Sequence, residues 1–394
     1  MERRAFIRVL GGGTVAAATG LGLAGCSADL PPEALAAWAG PGAAPAATAD
    51  PRHWLLAHAI LAPHSHNLQS WLVDLREADA ITLYCDRSRL LPETDPFSRQ
   101  MMMSQGTFLE ALDLAAREIG LAADITLFPS GTPGPEQLTD APTARIRLRR
   151  DQGSHPDPLF RQILLRRTNR SPYEARSPAP DALAAINQAV QTHASGQGMR
   201  LIWTGSDQPA VLAQHRDIAM NAWKVEMETP RTILESFRWL RVGPQEIAQH
   251  RDGLSINAPL VRALTAVGLF DRTKAPAPGD SAIEGQIKDF NAKMAATPTF
   301  LAMVTPDNQR STQVQAGRAY MRAQLAATAH GLSMHPLQQA LQEYPEQAEW
   351  HRRIHALSGA SGPGQTVQMW ARVGHAPPVA PAPRRGVASH ILPA

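Results

Sequence analysis

Residues 106–121, Gly-Thr-Phe-Leu-Glu-Ala-Leu-Asp-Leu-Ala-Ala-Arg-Glu-Ile-Gly-Leu, align without a gap on 317–332, Gly-Arg-Ala-Tyr-Met-Arg-Ala-Gln-Leu-Ala-Ala-Thr-Ala-His-Gly-Leu. Identities fall at Gly106/Gly317, Leu114/Leu325, Ala115/Ala326, Ala116/Ala327, Gly120/Gly331 and Leu121/Leu332. An internal repeat decides the whole fold, so it outweighs any local signal. In each copy a Gly-Leu pair follows a helical run: Gly supplies the left-handed residue that ends the helix, and Leu returns the chain to the core. A strand-like run precedes each helix, Ile81 to Tyr84 and Phe300 to Val304, and Ala123 to Phe128 follows the first. A helix-then-polar-loop pattern at Leu159 to Tyr173 echoes residues 54–71.

The N-terminus is set aside before any fold argument. Arg3-Arg4-Ala5-Phe6-Ile7-Arg8, followed by a mild Gly/Ala-rich apolar stretch to Gly25, has the layout of a twin-arginine export signal. Leu23-Ala24-Gly25-Cys26 resembles the bacterial lipobox, in which Cys26 is lipidated; ordinary cleavage with an incidental Cys26 is the competing reading. Residues 1–26 are read as this signal. The expected location is outside the cytoplasm, periplasmic or membrane-anchored, with the export machinery as a partner and a lipid anchor as the most membrane contact. Gly11 and Gly13 do not make a dinucleotide fingerprint, since no strand precedes them and no acidic residue follows at the required distance. Residues 27–52, Ala/Pro-rich and poor in large apolar groups, are expected to be a tether.

The remaining chain, about 340 residues, is large enough for two core-forming units, read as halves at 53–150 and 151–394. A net charge of +3 with no basic run interleaved with aromatics argues against nucleic acid as a partner. Cys26 and Cys85 are the only cysteines, so a processed chain has no disulfide framework, and Cys85 reads as a buried strand residue. Beyond the signal no apolar run approaches the length of a membrane span.

Four polar motifs carry the functional argument. A helix over 54–61 is broken by Pro63, after which Ala62-Pro63-His64-Ser65-His66-Asn67-Leu68-Gln69-Ser70-Trp71 offers donors and acceptors suited to a polar heterocycle. Arg166-Arg167-Thr168-Asn169-Arg170 concentrates guanidinium groups, whose planar forks bind phosphate oxygens bidentately; a solvated basic helix end is the alternative. His330-Gly331-Leu332 is either a helix cap or a place where backbone approaches a flat ring. Pro383-Arg384-Arg385 closes the set.

The first motif resembles the Pro-Ser-x-x-Asn-x-Gln-Pro-Trp loop of the nitroreductase superfamily, and more closely the Ala-Pro-Ser-x-His-Asn-x-Gln-Pro-Trp form of its Acg-like FMN-binding branch. His64 stands where that pattern has Ser, and Ser70 where it has Pro. The second resembles the Arg-Arg-Ser-x-Arg segment that holds the FMN phosphate and ribityl chain, the third the x-Gly-Leu loop facing the flavin, and the fourth the branch's terminal basic pair. The resemblance implies an α+β fold, each half a mixed sheet with flanking helices, duplicated in one chain as a monomeric pseudo-dimer. One FMN would bind between the halves through Pro63, His64, Ser65, Asn67 and Gln69 from the first, and Arg166, Arg167, Thr168, Asn169, Arg170, His330, Gly331, Leu332, Arg384 and Arg385 from the second. It further implies an oxidoreductase in which the flavin carries the chemistry, no side chain is catalytic, NAD(P)H is a transient donor, and a nitroaromatic or quinone-like small molecule is the electron acceptor. The opposing reading is a non-catalytic protein that sequesters FMN beneath a covering segment at 222–274. Metal binding by His58, His64 and His66 is set aside, because the loop context is wrong for a cage and no Cys or carboxylate pair is near. Met101-Met102-Met103 reads as core filler.

Overall fold

The computed structural model describes residues 30–194 and 198–393; the signal reading and Cys26 lie outside them. The first half runs α1 (Arg52–Ala59), β1 (Trp71–Asp74), β2 (Ala80–Cys85), α2 (Arg99–Glu118), β3 (Leu121–Leu127) and β4 (Ala144–Arg150). The second opens with α3 (Pro180–Ala194) and β5 (Arg200–Thr204). An insertion follows: α4 (Pro209–Glu228), α5 (Pro230–Arg238), β6 (Leu240–Val242), α6 (Gly243–His250), β7 (Leu254–Ile256), α7 (Pro259–Ala266) and α8 (Ser281–Ala295). It then resumes with β8 (Thr299–Thr305), α9 (Arg310–Ala329), β9 (Ser333–Pro336), α10 (Ala348–Leu357) and β10 (Thr366–Gly374).

The two main sheets have the orders β1-β2-β4-β3 and β5-β8-β10-β9, which correspond strand for strand. The duplication therefore extends from the aligned helices to the whole unit, and the α+β pseudo-dimer is what the chain forms. Strand pairs within both sheets are antiparallel; among the described residues parallel pairing occurs in the insertion's β6–β7 ladder and at two bridges on the main sheets, Thr168 to Met334 and Val73 to Ile391. The two main-sheet bridges are crossovers. Residues after β4 pass to the edge of the second sheet, and residues after β10 return to β1, where the Leu392 N–H donates to Val73 O at 2.8 Å. Leu159 to Tyr173 holds only a one-turn helix at Pro158–Gln162. The counterpart of α1 is instead α3, which precedes its sheet's first strand and packs on α9 as α1 packs on α2.

The sheets differ in how they are covered. In β4 the Ile146 and Leu148 side chains are buried while Arg145, Arg147 and Arg149 face outward toward Glu77 and Asp124. β8, Thr-Phe-Leu-Ala-Met-Val-Thr, is buried at every position: Leu301 and Met303 pack beneath α9, and Phe300, Ala302 and Val304 meet Leu212, Ala219, Phe290 and Met294 of the insertion. Period-2 alternation thus survives only where one face meets water.

Helices α2 and α9 form the centre, and their aligned glycines mark the crossing. A Cβ at Gly106 would lie 1.9 Å from Val314 O, and one at Gly317 would lie 1.9 Å from Met103 O. Each helix begins with a buried arginine that reaches into the other half. Arg99 donates to Gln368 O (2.7 Å) and Leu341 O (2.8 Å), and Arg310 to Phe97 O and Gln137 O (both 2.7 Å). Glu110 on α2 pairs with Arg318 (2.9 Å) and Arg322 (2.8 Å) on α9; burial alone would raise its pKa, but these guanidinium groups and His193 bring it down to about 2.

Residues 30–50 depart from the expected tether. Trp38 is 9% exposed, its Nε1–H donates to Ala382 O at 2.8 Å, and the Arg384 N–H donates to Ala34 O at 3.0 Å. One large apolar side chain placed over arginines anchors a segment whose average composition argues for none. Cys85 is buried in β2, and burial raises its thiol to about 12, so it acts as packing.

Because the obstacle at each crossing glycine is backbone, Gly106→Ala or Gly317→Ala should cost about 3 kcal/mol or more in denaturant unfolding. Gly120→Ala, which meets nothing within 4 Å but sits at φ +70°, should cost only about 1–2 kcal/mol. Equal losses in the two experiments would refute the crossing as the tight contact.

Candidate functional site

The Pro63–Trp71 loop is backbone-strained. Among the described residues, four of the seven non-glycine residues with positive φ are His66, Asn67 and Gln69 in it and Arg251 beside it, a concentration typical of functional sites. Pro63 stops α1, and α2 holds the loop in place: Thr107 Oγ1 donates to Pro63 O (2.7 Å), Gln105 Nε2 to Ser70 O (2.8 Å), and the Trp71 indole N–H to Ser104 O (2.9 Å). The Ser65 hydroxyl donates to Gln100 Oε1 at 3.1 Å.

His64 and Ser70, the two positions that depart from the resembling pattern, are bonded to each other. The Ser70 backbone N–H donates to His64 Nε2 at 3.0 Å, a donor that Pro at 70 would lack and an acceptor that Ser at 64 could not place. The other ring nitrogen, Nδ1, lies 2.8 Å from Ser65 O, so the ring is the neutral Nδ1–H tautomer. Burial, with Arg384, Arg385 and Arg89 nearby, lowers its pKa to about 3 against the opposing Ser65 bond.

The Arg motif spans the junction. Arg166 donates to Leu61 O at the end of α1 (3.1 Å) and to Gln324 Oε1 of α9 (2.9 Å). Asn169 bonds Met334 O through its backbone (3.1 Å) and Ser333 Oγ through its amide (3.1 Å), while Thr168 makes the bridge to Met334. From the tail, Arg384 bonds Asn67 Oδ1 and Ala62 O, and the Arg385 N–H donates to Gln69 Oε1 at 2.9 Å. Trp38 lies over Arg167 at 4.2 Å, Arg384 at 5.3 Å and Arg166 at 5.9 Å. Three of the four motifs are thereby brought together with one aromatic that sequence reasoning missed; its only signal was a lone Trp in an Ala/Pro-rich stretch.

Arg166, Arg167 and Arg384 lack counter-charges, and Arg385 feels Asp252 and Asp86 without pairing with either. Among the described residues no carboxylate forms an ion pair with Arg166, Arg167, Arg170, Arg384 or Arg385, and the Nε atoms of Arg166, Arg384 and Arg385 are buried without a partner. Burial lowers Arg166, Arg167 and Arg385 to about 10 and Arg384 well below its ordinary value. Arg170 is exposed, and its charge adds to burial in lowering His66 and His335.

The Gly-Leu pair behaves as a cap. Gly331 has φ +66°, its N–H donates to Thr328 O (3.0 Å) and that of Leu332 to Ala327 O (2.8 Å). His330 and Gly331 are exposed and Leu332 is buried, and the backbone amides of 331 and 332 are spent on the helix end. The sequence also left the insertion's role open. His66 Nε2 lies 3.1 Å from Ser236 Oγ, Gln69 Nε2 donates to Arg251 O (2.8 Å), and Asn67 Nδ2 to Gly253 O (3.3 Å) and Pro383 O (3.0 Å). Ser236, Arg251 and Gly253 of the insertion thus lie against the loop. No cluster of three or more His, Cys, Asp or Glu side chains suited to a metal occurs among the described residues.

No family model and no curated protein matches the chain. Solved structures similar to it include the FMN and NADPH-dependent nitroreductase NfnB from sphigopyxis sp. strain HMH, 17% identical, with a TM-score of 0.37 over 59% of this chain and 97% of that one. Another is the FMN-dependent nitroreductase NfnB from Mycobacterium smegmatis in complex with NADPH, 16% identical, TM-score 0.36, over 58% and 94%. A third is oxidized iodotyrosine deiodinase bound to FMN and 3-iodo-L-tyrosine, 14% identical, TM-score 0.33, over 58% and 94%. At such scores nothing rests on the likeness.

His64→Ser should cost about 1–3 kcal/mol by leaving the Ser70 N–H unpaired, and adding Ser70→Pro should recover most of that loss in a double-mutant cycle. Additive losses would disprove the coupling. The histidines also set a pH dependence. His64 and His390 are lowered to about 3, and His66 and His215 to about 4, chiefly by burial. The unfolded chain therefore binds their protons first. Stability should fall as pH drops below about 6.5 toward 4, by about 1.4 kcal/mol per pH unit per histidine. Glu226, raised to about 7 by burial, acts oppositely and offsets one of them. A melting temperature unchanged from pH 7 to 5 would contradict this.

Proposed function

We propose that the chain binds FMN at the junction of its halves and acts as a flavin-dependent oxidoreductase of the nitroreductase kind. The observation that carries this reading is the arginine cluster without counter-ions: Arg166, Arg167 and Arg384 converge on Trp38, and buried guanidinium nitrogens there lack partners. Buried cations are costly unless paired, so the donor set fits a phosphate. Asn67 and Gln69 spend their amides on the tail and the insertion, and a ring beside them would have to compete with those bonds. The helix-cap geometry of Gly331 gives no added support to a ring contact there.

When bound, flavin supplies hydride transfer at N5, and this chain's residues contribute binding, charge and exclusion of water. NAD(P)H as donor and a nitroaromatic or quinone as acceptor remain part of the proposal. One observation favours the second reading, a sequestered flavin: α5 and the α6–β7 turn close on the loop through Ser236, Arg251 and Gly253.

The absorbance spectrum of protein purified with its native cofactor, repeated after anaerobic NADPH, separates these readings. Bleaching supports the oxidoreductase, an unbleached flavin supports sequestration, and no flavin after FMN reconstitution overturns both. Arg384→Ala with Arg385→Ala removes two charge-assisted contacts worth together on the order of 3 kcal/mol. FMN affinity measured by fluorescence quenching should fall about a hundredfold, and full retention would sink the phosphate assignment.

A further inference from the structure

Residues 30–42 lie over the arginine cluster. Pro32–Leu35 and Ala36–Ala39 form two single turns, which bury Ala34 and Trp38 and leave Glu33, the segment's one charged side chain, exposed. The Trp38 indole faces Arg167, Arg384 and Arg166. Its N–H donates to Ala382 O, and Ala34 O accepts from the Arg384 N–H, so the tail fastens the segment at two points. The chain then turns at Gly40, φ +74° and ψ 171°, a combination essentially reserved for glycine, and at Gly42, φ +79°. Beyond these glycines it is fastened again: the Trp54 indole N–H donates to Gly42 O at 3.4 Å, and Arg150 to Ala47 O at 2.5 Å.

The seated segment leaves the cluster little room. Arg166 and Arg384, whose Nε atoms have no partner, are only 2% and 4% exposed. Between the segment and the cluster lies a cavity of about 130 Å³ lined by Ala36, Ala37, Gly40 and Arg384 among others, well below the roughly 300 Å³ at which ligand pockets begin. We propose that residues 30–42 are a strap that gates the arginine site. It lifts about Gly40 and Gly42 to let a phosphate-bearing ligand reach the guanidinium groups, and it reseats with Trp38 over them. The indole is the latch, because its attraction to the buried cations is lost whenever the strap lifts, while the bonds at Gly42 and Ala47 keep the chain beyond the hinge in place. This inference rests on the reading of the cluster as a phosphate site.

The test mixes the full chain with rising concentrations of FMN and follows the quenching of flavin fluorescence in time. Binding through a gate gives an observed rate that levels off at the rate of strap opening. The plateau should rise about tenfold or more in Trp38→Ala, which removes the latch, and likewise in Gly40→Ala, which strains the seated backbone. The Cβ added at Gly40 would meet the Leu164 side chain and no arginine, so this second variant opens the strap without altering the site. A rate that stays linear in FMN throughout, or a plateau that either variant leaves unchanged, overturns the gate. Absence of any quenching means that the flavin reading has failed, and the strap is then read with inorganic phosphate alone, as the rate at which chymotrypsin cuts after Trp38. Phosphate that slows the cut supports a strap closing over a bound anion, and a cut indifferent to phosphate overturns it.

Discussion

Everything else in the molecule depends on how closely α2 and α9 approach. Two helices can bring backbone against backbone only where a side chain is missing, and here it is missing once on each, at aligned positions. That contact fixes the pseudo-twofold relation, and the relation explains why Arg99 and Arg310 make matching reaches into opposite halves. Dispersion and burial along two nearly fully buried helices then act on a geometry already set.

The junction so created is not symmetric in charge. Away from the arginine motifs, α2 and α9 are joined by a satisfied network, with Glu110 and Asp113 against Arg318, and Arg322 also reaching Asp157. Around Trp38, by contrast, Arg166, Arg167 and Arg384 gather with no carboxylate paired to any of them. One region is closed by its own ions and the other is not, so the two ends of the duplicated junction differ in charge. The strained loop, the tail and the insertion all converge on the second region.

Much of this was legible in the residues. The repeat located both central helices and the glycines that matter, because identical spacing forces identical geometry, and the strands at 80–85 and 299–305 followed from apolar runs. Gly331 was expected to face a flavin, yet its amide is spent on the helix end, the same task its first-copy counterpart Gly120 performs with no motif nearby. What stayed hidden was non-local. No pattern within residues 27–52 says that Trp38 meets arginines more than a hundred positions away, and composition averages over a lone aromatic. Nor does spacing show that Ser70 supplies the hydrogen His64 accepts, because that bond depends on a turn through left-handed residues. The crossovers at Thr168 and Ile391 are likewise products of which sheet edge is free, which is decided only after both sheets exist.

The returning tail carries a temporal consequence. Arg384 and its partner Asn67 are separated by 317 positions in the chain, and Arg384 and Ala62 by 322. Such distant partners meet late, since the entropy of closing so long a loop must be met before the contact forms. A ribosome-bound intermediate that has already made the loop and even the central helices still lacks the arginine that closes them. Completion of the junction therefore waits for residue 384, long after both central helices have been made.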